Sequence, residues 1–319
     1  MVTVHNFSYG LLNPVLGYAV SCLGAFLGLR CVTRARAYTG FARARWLAVA
    51  AISVGATGVW AMHFIAMLGY TIPGQQIAYN VPLTIVSMLI AIAVVGVGLF
   101  IVGYGDGSLR RLLTGGVIVG IGVAAMHYLG MSAMIMPDSL HYNAPLFALS
   151  VLIAIVAGTA ALWAGTRVRS TTATIGAALI MGVAVSGMHY TGRAAMHLTA
   201  GGMAATGGSS GMSFLVPLLV GITIVTFAVT LVISLSPTED EIHEDARLRD
   251  RIAAGFSASE PGSQPPRPQA QPSLWTPQAQ AQPQPQAQPS LWTPQNQLPQ
   301  GPQQSPAQAK AECVPAGPR

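Results

Sequence analysis

The sequence predicts an all-α integral membrane protein with seven transmembrane helices, built from three helix-pair repeats plus one helix. Of its 319 residues, 52% are hydrophobic and only 8% are charged, whereas about a quarter are charged in an ordinary soluble domain. A helix needs about 20 apolar residues to cross a bilayer. Seven runs reach that length, at residues 11–29, 47–70, 81–102, 112–136, 145–165, 174–197 and 214–235.

The positions of the arginines predict how the chain is oriented. Basic residues follow the first, third and fifth runs, namely Arg30, Arg34, Arg36, Arg43, Arg45, Arg110, Arg111, Arg167 and Arg169, whereas residues 71–80 and 137–144 carry no Lys or Arg. Because basic residues collect on the cytoplasmic side, we expect the amino terminus outside and the carboxyl terminus in the cytoplasm. The net charge of +6 therefore reflects topology and does not indicate nucleic-acid binding. Trp60 and Tyr70, near the outer end of the second run, are predicted to lie at the membrane interface.

A Met-His pair recurs late in every second apolar run. The pairs are Met62-His63, Met126-His127 and Met188-His189, so the histidines lie 64 and 62 residues apart. Each plain run followed by a Met-His run makes one repeat, and the three histidines fall at one depth in the outer half of the bundle. Titratable groups in a membrane span are costly and usually face the bundle interior. We therefore predict that the three imidazoles meet.

The residues around the histidines indicate a metal site. Positions four and seven residues after a helical histidine lie on its face, and the residue before it lies about 100° around the helix. Imidazole and thioether ligands together favour copper, with thioether selecting the cuprous state, while a bis-imidazole haem is the alternative. Methionine also fills gaps in cores, so packing is the competing interpretation. The predicted ligands are His63, His127, His189, Met62, Met67, Met126, Met131, Met134, Met188 and Met196.

Arg193 breaks the pattern of the repeat, since the first two copies have Met67 and Met131 at that position. A fixed cation disfavours a bound metal ion, so the third copy is expected to supply His189 and Met196 only. Burying an unpaired guanidinium is expensive. We therefore predict that Arg193 pairs with Asp138, an acid just beyond the fourth run, and the alternative is that it snorkels to the interface.

The chain changes character after the seventh run. We predict a membrane domain over residues 8–236, a short cytoplasmic helix over 237–256, and a disordered Pro/Gln-rich tail over 257–319. The tail contains Ser-Leu-Trp-Thr-Pro twice, at 273–277 and 290–294. These copies are interpreted either as a docking motif or as a duplication without function.

The three motifs resemble the signature of the MHYT domain, a bacterial seven-span membrane module. The matching residues are Trp60-Ala61-Met62-His63-Phe64, Met126-His127-Tyr128 and Met188-His189-Tyr190-Thr191. The resemblance covers about residues 8–236. It implies a sensor in the bacterial plasma membrane that binds copper through these Met and His residues and detects a diatomic gas, namely oxygen, carbon monoxide or nitric oxide. It also implies that such domains often precede cytoplasmic signalling enzymes.

We expect the tail of this chain to be too short and too disordered to form such an enzyme. We therefore expect a stand-alone sensor that is not itself an enzyme and that acts on a separate cytoplasmic signalling protein. The alternative function is copper handling or transport. A transporter is expected to carry ligands at several depths, but the inner halves of the spans lack His, Asp and Glu. An enzyme is disfavoured because no carboxylate or nucleophile lies beside the histidines in the membrane region.

Overall fold

The computed structural model describes residues 8–72, 77–105, 107–135, 139–199, 209–236 and 239–258. Within them, seven helical spans are long and apolar enough to cross a bilayer, which confirms the predicted all-α membrane architecture. The helices are α1 Leu12–Ala37, α2 Gly40–Ile52, α3 Met62–Leu68, α4 Val81–Gly103, α5 Leu109–Ser132, α6 Ala144–Arg167, α7 Thr171–Ala194, α8 Gly211–Leu235 and α9 Glu239–Ala258.

The second span is interrupted by a π-helix, Ser53–Ala61, which joins α2 to α3. This span is the most buried of the seven, because its π-helix packs against α1, α4 and α8. Trp60 within it is fully buried, and its indole N–H donates to the Ser87 hydroxyl of α4 at 2.9 Å. Tyr70 is also buried. The prediction that these two rings lie at the membrane interface is therefore wrong, since both pack inside the bundle.

At one end of the bundle, α1 ends and α2 begins; we call it the arginine end. The sequence predicted a first span ending at residue 29, but α1 continues to Ala37, so its arginines are helical. Arginines of α1 and α2 bind carbonyls that other helices leave without partners at their ends. Arg34 donates to the carbonyls of Ile233 (2.6 Å) and Ser236 (3.0 Å) at the end of α8. Arg43 donates to the carbonyl of Gly103 at the end of α4.

At the opposite end, which we call the histidine end, α3, α5 and α7 finish and short strands follow. The strands are β1 Ala78–Tyr79, β2 Met134–Ile135, β3 Ser139–Tyr142, β4 Met196–Thr199 and β5 Ser209–Ser210. The order β2-β1-β5 forms one sheet, and β3 pairs with β4 in another. All the pairings are antiparallel.

Two helices end earlier than the sequence predicted, because strands follow them. The fourth and sixth runs were expected to stay helical to residues 136 and 197, but α5 ends at Ser132 and α7 at Ala194. In both cases a capping asparagine fixes the end. The Asn80 N–H donates to the Ala133 carbonyl, and the Asn143 N–H donates to the Ala195 carbonyl, each at 2.8 Å. Hydrophobic periodicity alone does not indicate a hydrogen bond between such distant parts of the chain.

The segment after α8 differs slightly from its prediction. The cytoplasmic helix was expected over 237–256, and α9 instead covers Glu239–Ala258. Residues 237–238, including the predicted helix start, lie outside the described residues. The predicted disorder of the tail and both Ser-Leu-Trp-Thr-Pro copies also lie outside them, apart from residues 257–258, which belong to α9.

Candidate metal centre

The three histidines occupy equivalent places in three helices. His63 lies in α3, His127 in α5 and His189 in α7, and each is five residues before the last residue of its helix. At 1.5 Å per residue this places all of them about 7.5 Å from the ends of their helices. The regular spacing in the sequence therefore becomes a common depth in the bundle.

The imidazoles meet, as the sequence predicted. Nδ1 of His63 lies 3.1 Å from Nδ1 of His127 and 3.0 Å from Nδ1 of His189. The ring centroids are 4.9, 4.9 and 5.1 Å apart, and the rings are nearly perpendicular to one another. All three side chains are at most 1% exposed. The structure thus forms a closed cluster of three imidazoles whose Nδ1 atoms converge.

The Nε2 atoms of two of these rings are each enclosed by the next repeat. A methyl group at Gly130 of α5 would lie 2.7 Å from Nε2 of His63, and one at Gly192 of α7 would lie 2.6 Å from Nε2 of His127. The histidine of one repeat thus packs against the glycine three residues after the histidine of the next. The sequence shows small residues at these positions, but it does not reveal which imidazole they accommodate.

The hydrogen bonding of the cluster is incomplete without a further group. Nε2 of all three histidines is buried and has no hydrogen-bond partner among the described residues. Nδ1 of His63 faces two other Nδ1 atoms, and a neutral imidazole carries one N–H in total. Leaving buried polar atoms unsatisfied costs about 1–3 kcal/mol each. One ion bound at the centre would satisfy the three Nδ1 lone pairs together, and the proton of each ring would then lie on Nε2, which the ion itself does not satisfy.

The distances fit a small metal ion. Imidazole nitrogens bind first-row metals at about 2.0–2.1 Å, so two nitrogens on one ion lie about 3.3–3.5 Å apart in trigonal or tetrahedral geometry. The observed separations of 3.0 and 3.1 Å need to widen by only a few tenths of an ångström. The three histidines are also a group whose ligand atoms all lie within 4.8 Å of one another. The residues present therefore fit a metal held by three nitrogens.

The methionines line the surrounding core. Met67, Met126, Met131, Met134 and Met188 are buried members of the main hydrophobic cluster, and Met196 packs at its edge. Met62 is buried with its side chain against Gly17 of α1. Met134 and Met196 lie in strands opposite Tyr79 and Tyr142, so they are not on a helix face as the seven-residue spacing predicted. A ligand role for these thioethers stays a prediction.

Arg193 is buried beside the cluster, on the same helix as His189. It is 6% exposed, and its guanidinium carbon lies 4.7 Å from the centroid of the Tyr70 ring. A ring face attracts a cation, most strongly when water is excluded. Simple snorkelling therefore does not describe this side chain. The predicted partner Asp138 lies outside the described residues, and no sequence pattern indicates the contact with Tyr70.

Comparison with known proteins identifies the repeat. Residues 57–115 and 120–178 match the MHYT repeat, described as a bacterial signalling protein N terminal repeat. These two segments contain His63 and His127. No solved structure matches the chain.

Curated relatives match over most of the bundle. The bifunctional diguanylate cyclase/cyclic di-GMP phosphodiesterase MucR of Pseudomonas aeruginosa is 34% identical over 234 residues, which is 72% of this chain and 34% of that protein. The cyclic di-GMP phosphodiesterase NbdA of the same organism is 34% identical over 202 residues, 61% of this chain and 25% of NbdA.

A further relative is the signaling protein YkoW of Bacillus subtilis, 30% identical over 196 residues, which is 59% of this chain and 24% of YkoW. The matched part is thus about a third or less of each relative. With the Met-His motifs at equivalent places in three helices, these matches show that the chain belongs to the MHYT family.

Proposed function

We propose that the chain is a membrane sensor in bacterial signal transduction that holds copper with His63, His127 and His189. The observation that carries this proposal is that the buried Nδ1 atoms of His127 and His189 both lie within hydrogen-bonding distance of Nδ1 of His63. A packing role alone would leave these polar atoms poorly satisfied in an apolar core.

Copper is the metal that the donor set favours. Imidazole suits several first-row metals, but thioethers in the surroundings select the cuprous ion. No Asp or Glu is buried among the residues that the structure describes, so the site offers neutral donors, which suit an ion of low charge. Haem is less suited, because the three rings contact one another at about 5 Å between centroids and leave no flat slot between two imidazoles.

The ligand that we propose is a diatomic gas, namely oxygen, carbon monoxide or nitric oxide. A cuprous ion supplies a centre that binds such molecules, and they dissolve in the apolar core of a membrane. The protein residues hold the imidazoles neutral, exclude water, and join α3, α5 and α7 at one point. Any change in the spacing of the three rings must therefore move these helices relative to one another.

The remaining helices provide a route to the other end of the bundle. The second span runs from α3 through the π-helix, which packs against α1 and α8. Arg34 of α1 holds the end of α8, and α9 follows at once. We propose that α9 carries the signal to a separate cytoplasmic protein. The two Pseudomonas relatives are named for cyclic di-GMP synthesis and breakdown, which supports a signalling output, and we propose no enzymatic activity for this chain.

We also propose an orientation for the chain. The arginine end of the bundle lies in the cytoplasm, since basic residues favour that side, and the histidine end and the amino terminus lie outside. The protein is then a multi-pass protein of the bacterial plasma membrane.

Copper stoichiometry tests the proposal. Protein purified after growth with copper is expected to hold about one ion per chain. His63→Ala, His127→Ala and His189→Ala should each remove most of it, because each removes one donor of a shared site. Met181→Leu, in the half of α7 remote from the site, is the control and should keep the metal. A full copper content in all three histidine variants, or stoichiometric haem in the native protein, overturns the assignment.

A further inference from the structure

The hairpin of β3 and β4 places two further histidines directly opposite each other. His141 of β3 pairs with His197 of β4 in antiparallel register. Both side chains are exposed, unlike the three imidazoles of the buried cluster. No local sequence pattern connects them, because 56 residues separate them and α6 and α7 lie in between.

The hydrogen-bond pattern fixes the kind of pair they form. The Asn143 N–H donates to the Ala195 carbonyl at 2.8 Å, which makes these two residues a hydrogen-bonded pair. Such pairs alternate with non-hydrogen-bonded ones along an antiparallel ladder. His141 and His197 are two positions further on, so they are again a hydrogen-bonded pair, with Cα atoms about 5.5 Å apart.

The neighbouring pair shows that the histidines face away from the bundle. Tyr142 pairs with Met196, and its ring contacts Tyr128 of α5 and Phe147 of α6 at centroid distances of 5.2 and 6.3 Å. Successive residues of a strand point to opposite faces. His141 and His197 therefore share the face turned away from these helices.

The preceding repeat builds the same ladder without imidazoles. Asn80 and Ala133 take the places of Asn143 and Ala195, and the pair two positions on is Ala78 with Ile135. The pair of histidines is thus not imposed by the repeat. In addition, β1 is covered on its second edge by β5, whereas β3 and β4 form a two-stranded sheet.

We infer that His141 and His197 form an exposed binding site for a divalent transition-metal ion, with copper(II) bound most tightly. Side chains of directly opposite residues have Cβ atoms about 4.5–5.5 Å apart, within the span that two imidazoles cover when both bind one ion. Affinity for nitrogen sites rises through the first row to Cu²⁺ and falls at Zn²⁺. Water completes the coordination of an ion on an exposed hairpin. This site does not depend on the function proposed for the buried cluster.

Titration of the untagged full chain in detergent with Cu²⁺, followed by electron paramagnetic resonance, tests the inference. Holding one ion with two imidazoles raises affinity by about 100-fold or more over one. His141→Asn and His197→Asn should each weaken the two-imidazole signal from added Cu²⁺ by about 100-fold, and the double variant should be only slightly weaker than either single variant, because a lone imidazole binds weakly. His5→Asn with His243→Asn is the control and should leave that signal unchanged.

Three outcomes overturn the inference: a loss of less than about threefold in both single variants, losses that multiply in the double variant, or an equal loss in the control. The melting temperature of each variant without metal verifies that it folds. If His141→Asn lowers the melting temperature, the loss of Cu²⁺ affinity in His197→Gln alone decides whether the inference holds. The amount of copper that co-purifies at the buried cluster should be the same in all these variants. If no copper co-purified there, the result would count against the proposed function and would not affect the inference about the exposed site.

Discussion

At the scale of single residues, two glycines determine how closely the imidazoles can approach. Gly130 and Gly192 each lie against the Nε2 atom of a histidine from the preceding repeat. A side chain at either position would have to move a buried ring. The second and third copies of the motif therefore require a small residue three positions after their histidine, because the imidazole of the preceding repeat packs there.

Gly130→Ala and Gly192→Ala are expected to lower the free energy of unfolding by about 1–3 kcal/mol, because each overpacks the core. Both should also reduce bound copper, since the displaced ring leaves the shared centre. Denaturant titration and metal analysis measure the two effects. Gly187→Ala is the matched control, two residues before His189 with nothing within 4 Å of the added methyl group. If it lost as much copper as Gly192→Ala, steric exclusion would not be the cause.

The contact between Arg193 and Tyr70 yields a second prediction. A desolvated cation–π contact is worth about 2 kcal/mol, so Arg193→Met and Tyr70→Leu should show a coupling energy of about 1–2 kcal/mol in a double-mutant cycle of unfolding. Tyr70→Phe keeps the ring and should keep most of the coupling. Asp138→Asn, combined with Arg193→Met, tests the salt bridge that the sequence predicts. Additivity in both cycles would mean that neither partner holds the guanidinium.

At the scale of elements, the π-helix is the feature that sequence periodicity could not predict. Residues 53–61 are almost uniformly apolar or small, so no polar face distinguishes a π-helix from an α-helix. Its packing depends on backbone contact. A methyl group at Gly24 of α1 would lie 2.3 Å from the backbone nitrogen of Gly58.

Gly24→Ala should therefore destabilise the protein by about 3 kcal/mol or more, because backbone cannot move aside as a side chain can. Thermal unfolding in detergent measures the change. Gly221→Ala on α8 is the control; it meets nothing within 4 Å and should be neutral or stabilising by up to about 1 kcal/mol. Equal melting temperatures for the two variants would show that α1 and the π-helix are not tightly packed.

The sequence also could not predict where the helices end. Met134 and Met196 continue the helical spacing of their runs, yet both lie in strands. The helices end where Asn80 and Asn143 bind the carbonyls of Ala133 and Ala195. These bonds join residues more than 50 positions apart, so no local pattern encodes them.

At the scale of the whole molecule, the regular spacing of the motif was sufficient to predict that the three imidazoles meet. Three Met-His pairs, each late in every second apolar run, required His63, His127 and His189 to lie at one depth facing the interior. The sequence could not say which ring nitrogen faces the centre. That choice depends on Gly130 and Gly192, whose contacts follow from the order of the helices around the cluster. The arginine side chains were expected in a loop, and instead they bind the ends of neighbouring helices.

The proposed orientation can be tested with single cysteines. Ser209→Cys lies at the histidine end and Gly105→Cys at the arginine end. A membrane-impermeant thiol reagent should label Ser209→Cys in intact cells and Gly105→Cys only after lysis, because basic ends remain in the cytoplasm. Labelling of Gly105→Cys in intact cells would reverse the topology, and would also place the exposed histidine pair in the cytoplasm.

In the proposed metal centre, three imidazoles of one chain share one copper ion. X-ray absorption spectroscopy of the copper-loaded protein in the reduced state tests this arrangement. We expect three nitrogen neighbours at about 2.0 Å with the multiple-scattering pattern of imidazole, and loss of that shell in His127→Ala. A shell dominated by sulfur at about 2.3 Å, or only two nitrogens in the native protein with no change in His127→Ala, would contradict it.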